Sequence, residues 1–175
     1  MELGMKKSIF MYGMVIVLMA HFVYAADLNE GFSGLKWGIN LSTVDNLSEL
    51  SQKGNIGYYF RFNEMGLIYN VNVGRVHYGF YRDQFFAVYF RIGSRKDFDK
   101  IKEAMISDYG NPRAQLRVSQ TIYIWEHKNI KIKMKLHAKN DSYKLAYYYT
   151  PLSNPLNESR LEDTFEQYIK LVPKD

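Results

Sequence analysis

The sequence predicts an α+β fold: an antiparallel sheet of about seven strands, arranged as hairpins and meanders, packed by two or three helices on one side. Three observations lead there. Apolar residues recur with a period of two from Gly57 to Ile92 and again from Thr121 to Tyr149. The runs are joined by connections of hairpin length, such as Arg82-Asp83. Between the two runs lies one segment of helical period, opened by a capping pair and closed by Gly110 and Pro112.

The elements follow in order. Residues 1–25 read as an export signal, with Lys6 and Lys7 leading an apolar run from Ile9 to Ala20 and Val23-Tyr24-Ala25 at the cleavage site. The run is too short to span a membrane, and His21 interrupts it. A single α+β domain over 26–175 is expected, periplasmic or secreted, with no stable span after cleavage. Residues 26–40 read as irregular, with Trp37 between glycines as a buried anchor. Ser42 and Asp45 have capping-box spacing, so Leu41, Val44, Leu47 and Leu50 predict a short helix that Gly54 ends. Tyr58 to Phe62 and Leu67 to Asn70 flank a turn at Asn63-Glu64-Met65-Gly66.

Val73 to Tyr81 and Gln84 to Ile92 form the next hairpin. Val76, Tyr78 and Phe80 share one face, opposite Arg75 and His77, while Phe86, Val88, Phe90 and Ile92 line one face of the partner strand. Ser94 and Asp97 then cap a helix whose stripe is Phe98, Ile101, Met105 and Tyr109. Three strands follow, at Thr121 to Glu126, Ile130 to His137 and Tyr143 to Tyr149. Asn154-Pro155 starts a final helix with Leu161, Phe165, Tyr168 and Val172 on one face.

Composition narrows the chemistry. The 175 residues carry a net charge of +5 and no cysteine, which excludes thiol catalysis, thiolate metal sites and a lipid-anchored lipoprotein. The 15 tyrosines and 11 phenylalanines fall mostly in the strand runs, where aromatic rings suit a pleated surface. His77, His127 and His137 have no metal-ligand spacing and read as exposed structural residues. Gly31-Phe32-Ser33-Gly34 lacks the spacing of a nucleophile elbow. Glu158, Glu162, Asp163 and Glu166 read as a solvated helix face, and no catalytic residue, metal or cofactor is assigned.

One pattern stands out. From Ile130 to His137, apolar residues alternate strictly with Lys131, Lys133, Lys135 and His137. The four basic residues are a candidate anion-binding face for phosphate, uronate or lipid headgroups. The alternative is a solvated face, or an edge strand that lysines protect from unwanted pairing.

Phe32-Ser33-Gly34-Leu35-Lys36-Trp37-Gly38-Ile39 resembles an opening, Phe-x-Gly-Leu/Ile-x-Trp-Gly, of exported Gram-negative proteins that have no assigned activity. The likeness extends to the aromatic strands Val76 to Phe90, to Tyr109-Gly110-Asn111-Pro112 and to Tyr123 to Trp125. It implies a shared architecture and export, and no site residues. The expected function is therefore a non-enzymatic binding or envelope-associated module whose partner is an envelope protein or an anionic polymer. The alternative is an envelope hydrolase with dispersed active-site residues. Nucleic acid is not an expected partner, because export takes the chain away from it.

Overall fold

The computed structural model describes residues 28–157 together with Leu161 and Phe165. The export signal and the stripe positions Tyr168 and Val172 lie outside the described residues. The chain opens with a small hairpin, β1 (Gly31–Phe32) and β2 (Leu35–Lys36), and a 3-10 turn at Leu41–Thr43. Then come β3 (Ser48–Lys53), β4 (Ile56–Ile68), β5 (Val71–Tyr81), β6 (Gln84–Ile92) and α1 (Arg95–Tyr109). The second half holds β7 (Arg113–Arg117), β8 (Gln120–His127), β9 (Ile130–His137), β10 (Ser142–Tyr149) and α2 (Thr150–Ser153).

The antiparallel sheet has eight strands in the order β3-β4-β5-β6-β10-β9-β8-β7. It is two four-stranded meanders joined through their last strands, β6 and β10. α1 carries the chain from β6 at the centre to β7 at the far edge. Its start is set locally: Ser94 Oγ accepts from the Asp97 amide at 3.1 Å, and Phe98, Ile101 and Met105 are buried against the sheet. Gly110 closes it at a φ of 76°, which a side chain would strain, and Trp125 Nε1 donates to the freed Gly110 carbonyl at 2.7 Å.

Three sequence expectations are corrected. Leu41 to Leu50 is a 3-10 turn followed by a strand, not a helix. Gly54-Asn55 is a two-residue hairpin turn joining Lys53 to its partner Ile56, so the preceding residues extend and pair with β4. Asn63 to Gly66 is a bulge within β4 rather than a turn, because the turn is made at Tyr69-Asn70, with φ of 49° and 59° at both central positions. Phe86 is not on the face of Val88, Phe90 and Ile92: the register shifts between Gly79 and Phe80, which sends Phe85 to that face and Phe86 to the other.

Both faces of the sheet are covered. One meets α1 and the N-terminal hairpin, where Trp37 is partly buried, stacks on Phe85 at 4.6 Å and donates from Nε1 to the Leu28 carbonyl at 2.7 Å. The other carries a second cluster of Tyr58, Phe86, Tyr89, Ala146 and Tyr148 with the helical residues Leu161 and Phe165. The expected placement of helices on one side does not hold.

Candidate functional surfaces

Strand register sorts the basic residues. Lys131, Lys133, Lys135 and His137 pair with Tyr148, Ala146, Lys144 and Ser142, and Lys144 pairs in turn with Arg91. On the other side the same residues meet Glu126, Ile124, Ile122 and Gln120. All of these share the face that carries Phe165 and lies opposite α1. The candidate residues are therefore brought together, and Lys144 and Arg91 join them from neighbouring strands.

Their surroundings differ from the sequence expectation. β9 lies between β10 and β8, so it is not an edge strand. Lys133 and Lys135 are only 6% and 5% exposed, while Lys131 and His137 are half-buried. Alternation assigns a residue to a face but says nothing of what covers that face. Neither buried lysine is without a partner. The cavity that Lys133, Lys135, Lys144 and Phe165 line is about 20 Å³, room for one water molecule.

His77 is likewise buried rather than exposed, with its ring 4.9 Å from that of Phe165. Desolvation, aided by the nearby Arg75 charge, lowers its pKa to about 4. His127, expected in a turn, is the exposed last residue of β8 and pairs with Ile130. Among the described residues, no group of three His, Cys, Asp or Glu side chains is placed to hold a metal ion.

The second surface is one that the sequence reading missed. At the β4 bulge, an open groove of about 680 Å³ is lined by Asn46, Leu47, Ser48, Arg61, Phe62, Asn63 and Glu64. The bulge aims Glu64 toward the β1–β2 turn. There Ser33 Oγ donates to Glu64 Oε1 at 2.6 Å, and the Tyr78 hydroxyl donates to Oε2 at 2.7 Å. The Arg61 guanidinium stands 3.8 Å from the same carboxylate and 5.5 Å from the centre of the Tyr78 ring. Burial and the bond to Glu64 raise the Tyr78 pKa.

Ser33, Asn46 and Asn63, which border the groove, all have positive φ, between 49° and 62°. The asparagines at such φ are the signal that marks these loops in the sequence. Phe62 is 72% exposed. Chemically, the groove offers amides, a hydroxyl, a guanidinium, a carboxylate already bound by two hydroxyls, and one open aromatic ring. No histidine lines it.

No protein family, curated protein or solved structure matches this chain.

Proposed function

We propose that this chain is an exported, non-enzymatic binding module that engages an envelope protein or polymer through the groove at the β4 bulge. The observation that carries this reading is the contrast in accessible space. The groove has the volume of an ordinary ligand site, about 300–1,000 Å³, whereas the cavity on the basic face has room for one water. Its lining suits a chain-like ligand that presents hydrogen-bonding groups and one apolar element to Phe62. Export rests on the lysine-led apolar run and the Ala25 site. Among the described residues no helix is long and apolar enough to cross a membrane.

The test is chemical-shift mapping of the mature chain with envelope glycan fragments and envelope-derived peptides. Shifts are expected at Asn46 to Ser48 and Arg61 to Glu64. Phe62→Ala should weaken binding about tenfold, roughly 1.4 kcal/mol, with an unchanged melting temperature. Shifts confined to any other surface sink the reading.

A specific observation favours a second reading, the hydrolase: the 2.6 Å contact between the Ser33 hydroxyl and the Glu64 carboxylate. Ester or glycoside hydrolysis by the mature chain, abolished in Ser33→Ala, would establish it in place of the first.

A further inference from the structure

We propose that β7 is a docking edge for an extended, acidic polypeptide segment of a partner protein, which joins the sheet as a further strand. The segment carries carboxylates opposite Arg113 and Arg117 and apolar side chains opposite Ala114 and Leu116. This goes beyond the groove, which lies at the β4 bulge near the other edge of the sheet.

The two edges of the sheet are finished differently. An edge strand presents backbone N–H and C=O groups that a further strand can pair with, and irregularities commonly blunt such edges. β3 is blunted in this way, since its register against β4 shifts between Glu49 and Ser51. β7 is not. All five of its residues, Arg113 to Arg117, pair with β8 in unbroken register, so its outer side keeps the regular spacing that an added strand needs. Among the described residues no strand lies beyond it. Leu116 is 81% exposed and the turn residue Val118 is fully exposed, which leaves apolar surface open at this edge.

The side chains define the occupant. Arg113, Gln115 and Arg117 share the face of their partners Ile124, Ile122 and Gln120, while Ala114 and Leu116 share the face of Tyr123 and Thr121. One side of the edge is thus basic and the other apolar. The two arginines are separated by roughly 13 Å of strand. Arg113 stands 3.7 Å from Glu126, but both side chains are well exposed, and such a pair holds its partner weakly against a competing carboxylate. A second copy of this chain fits poorly. Antiparallel pairing of β7 with itself over its full length sets Arg113 of each copy opposite Arg117 of the other, and like charges directly opposite destabilise a strand pair. A strand reading acid, apolar, polar, apolar, acid complements every β7 residue, in either direction.

The probe is a capped peptide with the core Glu-Val-Thr-Val-Glu, titrated into the isotope-labelled mature chain. Amide shifts are expected across Arg113 to Val118, with an affinity that falls as salt rises. An added strand points its N–H groups alternately toward and away from its neighbour. Methylating the peptide nitrogens at odd or at even core positions should therefore give opposite results: one set abolishes binding, and the other leaves it within about threefold. The double variant Arg113→Glu, Arg117→Glu changes two exposed side chains, so its melting temperature should hold. It should bind the acidic peptide about tenfold more weakly and Lys-Val-Thr-Val-Lys about tenfold more tightly. Equal binding of the two methylated peptides overturns the proposal, as does the absence of shifts at Arg113 to Val118 up to about 1 mM peptide. Shifts at those amides that grow with protein concentration alone put a second copy on the edge and overturn it too.

Discussion

The two faces of the sheet are built from the same strands by the same alternation, yet they are closed in different ways. The α1 face is apolar along β9, with Ile130, Ile132, Met134 and Leu136 buried, and it receives a helix with a matching stripe. The opposite face places an aromatic centre of Tyr58, Tyr89 and Tyr148 among lysines and arginines, and it receives Leu161 and Phe165. The first face is held chiefly by burial, roughly 25 cal/mol per Å² of apolar surface, with indole hydrogen bonds from Trp37 and Trp125 at its rim. The second joins a smaller apolar centre to buried lysines, which a fold accepts only when they are partnered. A face can therefore be closed without being apolar. Polar residues at period two mark a face, not its exposure.

The largest expected effect separates the two kinds of closure. Phe98 is fully buried between α1 and the sheet, and Phe98→Ala should cost about 3–5 kcal/mol of global stability. Phe165→Ala removes a ring of equal size from the other face. Its cost should be smaller, on the order of 2 kcal/mol, because the apolar cluster around it is smaller. Urea unfolding of both variants is the measurement, and equal losses would show that the two covers belong to one cooperative unit.

Acid sharpens the comparison next. His77 sits on the mixed face, facing Phe165 on one side and near Arg75 and Arg91, and its pKa is lowered to about 4 from an ordinary value of about 6.5. The neutral form is the one the fold accepts. The stability it contributes is present in full above the unfolded pKa and is lost as pH falls from about 6.5 through about 4, to the order of 3 kcal/mol. Wild type and His77→Gln should therefore converge in urea midpoint between about pH 7 and about pH 4.5. Parallel pH profiles for the two proteins would break the assignment.

The smallest effect tests the apolar side. Ser94→Ala removes the oxygen that accepts from the Asp97 amide and should cost about 1 kcal/mol, read as a lower thermal midpoint.

Where sequence reading succeeded, the cause was local. Arg82-Asp83 is a tight turn with φ of 49° and 61° at its two residues, and it joins two antiparallel strands as expected, with a register shift only beside Phe80. α1 has its cap, stripe and stop within 19 residues of chain, from Ser94 to Pro112. The failures were of another kind. β3 and β7 are edge strands with exposed, weakly patterned residues, and pairing with a neighbour makes them strands. The groove went unseen because Ser33, Asn46 and Glu64 are distant in sequence and meet only when the first hairpin folds over the β4 bulge.

The sequence by itself determined the interior antiparallel strands, the central helix and, apart from the irregularity at Phe85-Phe86, the residues that share a strand face. These depend on periods and turn chemistry that a few neighbouring residues carry. The tertiary structure decided that two meanders join through β6 and β10, that β9 is interior, and that Lys133 and Lys135 are buried. Such outcomes depend on which distant segment covers a surface. That choice is set by complementary shape and charge between parts of the chain that alternation within one strand cannot register.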